Sequence, residues 1–164
     1  MRLLRILRLD DSDEQVYFPA AAAGEPAVPG TFMFTFSDTD PARLGGSDYE
    51  AFRRGFLGLD SLGWGTLVTI AKATETERQY VLERLAHVFV ERFGAPNHWA
   101  AMEQAHEELE FVDRLCRRPL NTILSLERGL DGDEVSEQFS THSQQADWEG
   151  SHPVVRIVPE GEDR

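Results

Sequence analysis

Cysteine is almost absent: Cys116 is the single one in 164 residues. No intramolecular disulfide can form, so the oxidative frameworks of small secreted domains are excluded. Positive charge is scarce as well. Sixteen basic residues stand against 29 acidic ones, a net charge of −13, and Lys72 is the only lysine. That deficit excludes a phosphate-backbone binder and argues against docking on an anionic membrane, since both need a basic surface. Long apolar runs are missing too. No stretch approaches the roughly 18 residues of a membrane-spanning helix. Residues 1–9 do not read as a secretory signal, because Arg2, Arg5 and Arg8 interrupt the apolar residues and Asp10 and Asp11 follow. No repeat of about 20–50 residues appears, so solenoids and propellers drop out. The expected location is the cytoplasm.

What is present suffices for a core. Leu, Ile, Val and Phe number 17, 4, 11 and 10, or 42 of 164 residues. That is above the roughly 20% below which chains stay disordered. Two long helices are the clearest elements. Thr74-Glu75-Thr76-Glu77 spells a capping box, and Val81, Leu82, Leu85, Val88, Phe89 and Phe93 follow a helical period up to Gly94 and Pro96. The spacing predicts a helix over 75–93. A second helix over 98–117 starts at Asn97 as cap and carries Trp99, Met102, His106, Leu109, Val112 and Leu115 on one stripe.

Strands are predicted over 2–9, 15–18, 31–36, 66–73, 120–128 and 134–140, with a short helix over 47–57. Residues 19–30, with three prolines and two glycines, read as a loop. The first two strands form a hairpin across Asp10–Asp13, and Gly129–Gly132 turns the last pair, its Asp-Gly step suiting two residues at positive φ. The expected fold class is α+β: an antiparallel-rich sheet of five to six strands backed by two long helices, over residues 1–140.

Residues 141–164 read as an acidic tail. Nine acids fall in 131–164 against Arg156 and Arg164. Within the tail, Val154, Val155, Arg156, Ile157 and Val158 are β-prone and bracketed by Pro153 and Pro159. Such a segment can stay disordered, add to a sheet edge of its own chain or a sister subunit, or dock on a foreign protein by main-chain hydrogen bonds.

Chemistry-bearing patterns are few. Glu103-x-x-His106 has the spacing that di-iron helices use, but that site needs two such motifs and carboxylates from two further helices. Glu83, His87 and Glu91 do not repeat it, so no metal is expected. Cys116 sits near a helix C-terminus, where partial negative charge disfavours a thiolate. The acid pairs Asp10/Asp11/Asp13, Asp38/Asp40 and Asp131/Asp133 lie among turn residues, and none spells a calcium loop. The glycine-rich run from Gly55 to Gly65 leaves a helix and enters a strand, the reverse of a dinucleotide fingerprint. It reads either as a turn with Trp64 packed between glycines or as a ligand loop. In the second case Arg53 and Arg54, with Gly63, Trp64 and Gly65, meet an anionic group.

The Arg/Leu-rich first strand, Val28-Pro-Gly-Thr-Phe-Met-Phe34, Phe52-Arg-Arg-Gly-Phe-Leu-Gly58, Gly63-Trp-Gly-Thr-Leu-Val68 and Glu137-Gln-Phe139 together resemble a small uncharacterised family of proteobacterial proteins, over residues 1–140. The resemblance implies an accessory role beside a cofactor-dependent oxidoreductase system and carries no catalytic residues. Two functions follow as expectations. One is a non-enzymatic accessory protein that binds a protein partner and needs no cofactor. The other is a small-molecule binder or enzyme using the glycine-rich loop.

Overall fold

The structure, a computed structural model, describes residues 1–37, 40–142 and 156–159. Its strands are β1 (Arg2–Leu7), β2 (Pro26–Val28), β3 (Phe56–Gly58), β4 (Trp64–Gly65), β5 (Leu67–Lys72), β6 (Ile123–Asp131), β7 (Glu134–His142) and β8 (Arg156–Pro159). Its α-helices are α1 (Ser12–Val16), α2 (Phe32–Thr35), α3 (Gly46–Arg54), α4 (Glu75–Phe93) and α5 (His98–Leu115). The class is α+β, as expected. All eight strands form one antiparallel sheet in the order β4-β3-β2-β1-β5-β6-β7-β8, more than the five to six predicted.

The two long helices follow their sequence signals closely. Thr74 accepts from the Glu77 amide while Glu77 reaches back to the Thr74 amide, and Gly94 closes α4 at φ 66°. Asn97 caps α5 by accepting from Ala100 at 2.8 Å. The buried stripe of α5 differs from the predicted one. It consists of Ala101, Ala105, Leu109, Val112 and Leu115, with Trp99 74% exposed and His106 on the open side. Small Ala101 and Ala105 let α5 lie close over β1 and β2.

Several short elements correct the sequence reading. Residues 15–18 are no strand. Asp10 accepts from the Ser12 amide at 2.9 Å, and the turn runs on into α1. This seats Asp13 in the interior, where Thr66 donates its hydroxyl at 3.1 Å. The place beside β1 goes to β2, inside the expected loop 19–30, with Arg5 opposite Pro26. A proline is tolerated at a strand's first residue. Residues 31–36 are the helical turn α2 rather than a strand. A strand would aim Phe32, Phe34 and Phe36 at one face. The turn instead sends Phe32 to Phe89, 4.8 Å between centroids, and Phe34 to Phe52 and Trp64, each at 5.2 Å. Burial in two different places overrides β-propensity.

Other boundaries shift by a few residues. β1 stops at Leu7 and β5 spans 67–72. The helix predicted over 47–57 ends at Arg54, and α5 ends at Leu115. Residues 120–122 turn through Asn121 at φ 69°, so β6 starts at Ile123. The β6–β7 turn is Gly132-Asp133, with positive φ only at Gly132 (65°), not the Asp-Gly pair expected. β7 continues to His142, past residue 140, where Ser125 Oγ and His142 Nε2 meet at 2.8 Å. In the tail, Arg156–Pro159 pairs with β7 of its own chain, Phe139 opposite Val158. Val154 and Val155 lie outside the described residues, as does Asp38.

The sheet curls strongly. Phe56 of β3 and Phe139 of β7 meet at 6.3 Å, although four strands separate β3 from β7 in the sheet. Both rings are buried, a gain of about 1.5–3 kcal/mol each. α3 packs against β6 and β4 across the gap.

On the far end, Glu25 staples two loops. Its carboxylate accepts from the Ala22 amide at 2.7 Å and from those of Asp60 and Ser61 at 2.9 and 3.0 Å. A Cβ on Gly58 would lie 2.4 Å from this carboxylate, whereas one on Gly129 would have 3.7 Å to its nearest neighbour. Gly58→Ala therefore costs about 3 kcal/mol, through overpacking and stranded amides, and Gly129→Ala costs under about 1 kcal/mol. Urea unfolding of both variants tests this; equal losses would refute the staple.

Candidate functional site

The glycine-rich run is a β-hairpin. β3 and β4 are joined by a turn through Leu62 at φ 58°. Its glycines serve close packing. A Cβ on Gly63 would stand 2.6 Å from the Ala20 carbonyl carbon, and one on Gly65 would stand 3.2 Å from Ile6. Trp64 lies between Gly30 and Gly55, whose added Cβ atoms would come within 3.2 and 2.8 Å of its ring. Arg53 and Arg54 sit on α3 and are spent elsewhere, on Glu127 at 3.4 Å and Glu50 at 3.1 Å. Among the described cavities, none is lined by Arg53 and Arg54 together with Gly63, Trp64 and Gly65.

Cys116 is buried, and desolvation with the nearby Asp113 charge pushes its thiol up to about 12. It is no nucleophile at neutral pH. Glu103 and His106 both lie on the exposed side of α5. Among the described residues no group of three metal-ligating side chains converges.

The interior charge is elsewhere. β6 and β7 pair so that Arg128 stands opposite Glu137, beside the Leu126–Phe139 pair and on the same buried face. The two side chains are 0% and 5% exposed, with Arg128 Nε 3.7 Å from Glu137 Oε2. Arg128 also donates to Thr31 Oγ1 at 2.8 Å, to the carbonyls of Ala51 and Phe52 at 3.1 and 2.9 Å, and to that of Pro29. Thr31 in turn donates to Glu137. One guanidinium thus ties β6 to α3 and to the turn after β2, which is what holds the curled sheet closed.

Above this latch lies a cleft of about 580 Å³ between α2, α5 and β7. Glu137 and Thr31 form its floor, Phe32, Phe36 and Val135 its apolar wall, and Gln104, Glu107, Glu108, Phe111 and Arg114 its α5 side. Desolvation, then the Glu137 charge, push the Glu108 carboxyl up to about 7, partly offset by Arg128 and a hydrogen bond from the Gly30 amide. Near neutral pH this carboxyl exchanges a proton, and it lies near Glu137, whose carboxylate is paired with Arg128. Such a pair can hold a proton or accept a ligand's positive group. The guanidinium of Arg114 lies 5.2 Å from the Phe111 centroid, and its buried Nε has no hydrogen-bond partner among the described residues.

A larger groove of about 810 Å³ runs past Arg5, Glu25 and Tyr80. Its charged groups are already committed, Glu25 to three amides and Arg5 to Glu77. The Glu108 cleft is the better site.

A family model described as "Family of unknown function (DUF6505)" matches residues 1–151. The chain belongs to this family. No curated protein and no solved structure matches it. The DUF6505 match contains the whole cleft, from Thr31 to Glu137, and extends the resemblance beyond residue 140. β8 lies outside it. Among the described residues no helix is long and apolar enough to cross a membrane.

The sequence reading missed Arg128, Glu137, Glu108 and Arg114 as site residues. A signal for the first two exists. Continuing the alternation of Leu124 and Leu126 reaches Arg128, a charge on the core face of the hairpin.

Proposed function

We propose that this protein is a binding module that holds a small molecule in the cleft between α2, α5 and β7. The observation that carries this is the cleft's lining, where Glu108 on α5 and Glu137 on β7 share one cavity with Phe32, Phe36 and Phe111, and desolvation with the Glu137 charge pushes the Glu108 carboxyl up to about 7. The cleft is concave and sets Phe32, Phe36, Phe111 and Val135 beside convergent polar groups, which can fix a small molecule's orientation. The reading takes up the small-molecule alternative expected from the sequence and moves the site away from Arg53, Arg54 and the glycine-rich hairpin. The buried lone thiol suits a cytoplasmic location.

A thermal-shift screen of metabolites tests the proposal. A true ligand at a hundredfold excess over its Kd stabilises the fold by about 2.7 kcal/mol. Thr35 is exposed at the cleft mouth, so Thr35→Trp should fold normally and abolish the shift. A shift that persists in Thr35→Trp, or no shift with any compound, would sink it.

Docking of a protein partner is the second reading, favoured by the exposed face of α5. There Trp99 shares an exposed face with Glu103, Glu107 and Glu110, a combination suited to a basic partner with an apolar pocket. Partner recovery from lysate should fall with Trp99→Ala; unchanged recovery argues against this face.

A further inference from the structure

Glu108, Phe111 and Arg114 follow one another at positions i, i+3 and i+6 of α5, and all three line the cleft. That spacing keeps them on one side of the helix. Six residues at about 1.5 Å each put their Cα atoms roughly 9 Å apart along the axis, and the Arg114 guanidinium lies over the Phe111 ring between them. The two do not neutralise each other. Arg114 makes no ion pair among the described residues, and it stacks on Phe111 with Nε unsatisfied. Arg128, the other cation close by, is spent on Glu137, Thr31 and three carbonyls. The cleft is thus lined by an acid, by a guanidinium with no ion pair among the described residues, and by the apolar side chains of Phe36, Phe111 and Val135.

Building on the binding role above, we propose that the occupant is a zwitterionic small molecule. Its ammonium group sits on Glu108, its carboxylate meets Arg114, and a short apolar chain spans the distance. Neutral ligands leave both charges uncompensated, and singly charged ligands leave one. The other charged groups around Glu108 are Glu107 on α5, Glu137 on β7 and Arg128 on β6, while α2 and the Gly30 turn contribute no titratable side chain. Ammonium binding needs Glu108 ionised. Affinity should therefore rise about tenfold from pH 6 to pH 8 for a group titrating midway.

Isothermal titration of the intact protein at pH 8 with 6-aminohexanoate, hexylamine and hexanoate tests the assignment. The expected result is that 6-aminohexanoate binds at least tenfold more tightly than either singly charged probe. Glu108→Gln should reduce it to the level of hexanoate and remove the pH dependence. Arg114→Gln should reduce it to the level of hexylamine. Melting curves of both variants confirm that they are folded. If hexylamine or hexanoate binds as tightly as 6-aminohexanoate, the zwitterion assignment falls while the cleft remains a binding site. If none of the three binds saturably, the assignment falls, and a metabolite screen that is also silent removes the binding site with it.

Discussion

Replacing Arg128 by methionine destabilises the protein by about 3–5 kcal/mol, the cost of stranding one member of a buried ion pair. The substitution leaves Glu137 charged and almost fully enclosed. It also removes the donors to the carbonyls of Pro29, Ala51 and Phe52 and to the Thr31 hydroxyl. Each contact crosses the gap of the curled sheet, so the loss falls on closure and not on one strand. The double variant Arg128→Met/Glu137→Met tests whether the charge or the shape matters. Apolar replacement of both partners often recovers most of the loss. Equilibrium urea unfolding of the two single variants and the double variant yields the coupling. A single-variant loss below about 1 kcal/mol, or a double variant no better than Arg128→Met, would show that the sheet closes without this latch.

The elements legible in the sequence are those whose signals are local. The capping box at Thr74, the stop at Gly94-Ala95-Pro96 and the cap at Asn97 bound α4 and the start of α5 to the residue. These signals act within one helical turn. The segments whose composition misleads answer to distant partners. Thr31–Phe36 has strand composition, yet its rings are claimed by Phe89 on one side and by Phe52 and Trp64 on the other. Pro26–Val28 has loop composition, yet it completes the edge of β1. The stripe of α5 misleads because Trp99 and His106 have apolar or amphipathic rings, while Ala101 and Ala105 do the close packing. The cleft is hardest to see. Glu108 looks like one acid among many on an amphipathic helix. Only the fold places the Gly30 turn and Glu137 over it.

Glu108→Gln should raise stability at pH 8 and leave it unchanged at pH 4. The folded state raises this carboxyl from 4.5 to about 7, chiefly by desolvation. The folded protein thus binds a proton more tightly than the unfolded chain between those values. Its contribution is complete below pH 4.5 and lost as pH rises through 7. Above pH 7 the ionised carboxylate costs about 3 kcal/mol, at roughly 1.4 kcal/mol for each tenfold change in proton affinity. The amide keeps the shape and can still accept from Gly30, without the charge. At pH 8 the variant should melt about 6–12 °C above the parent, taking about 2–4 °C per kcal/mol for a chain of this size. Equal melting temperatures at pH 8 would mean that the carboxylate is solvated and the cleft floor is not desolvated. On the proposed reading, a ligand's ammonium group offsets the cost of the ionised carboxylate. Saturating 6-aminohexanoate should therefore raise the melting temperature of the parent much more than that of Glu108→Gln, narrowing the difference between them.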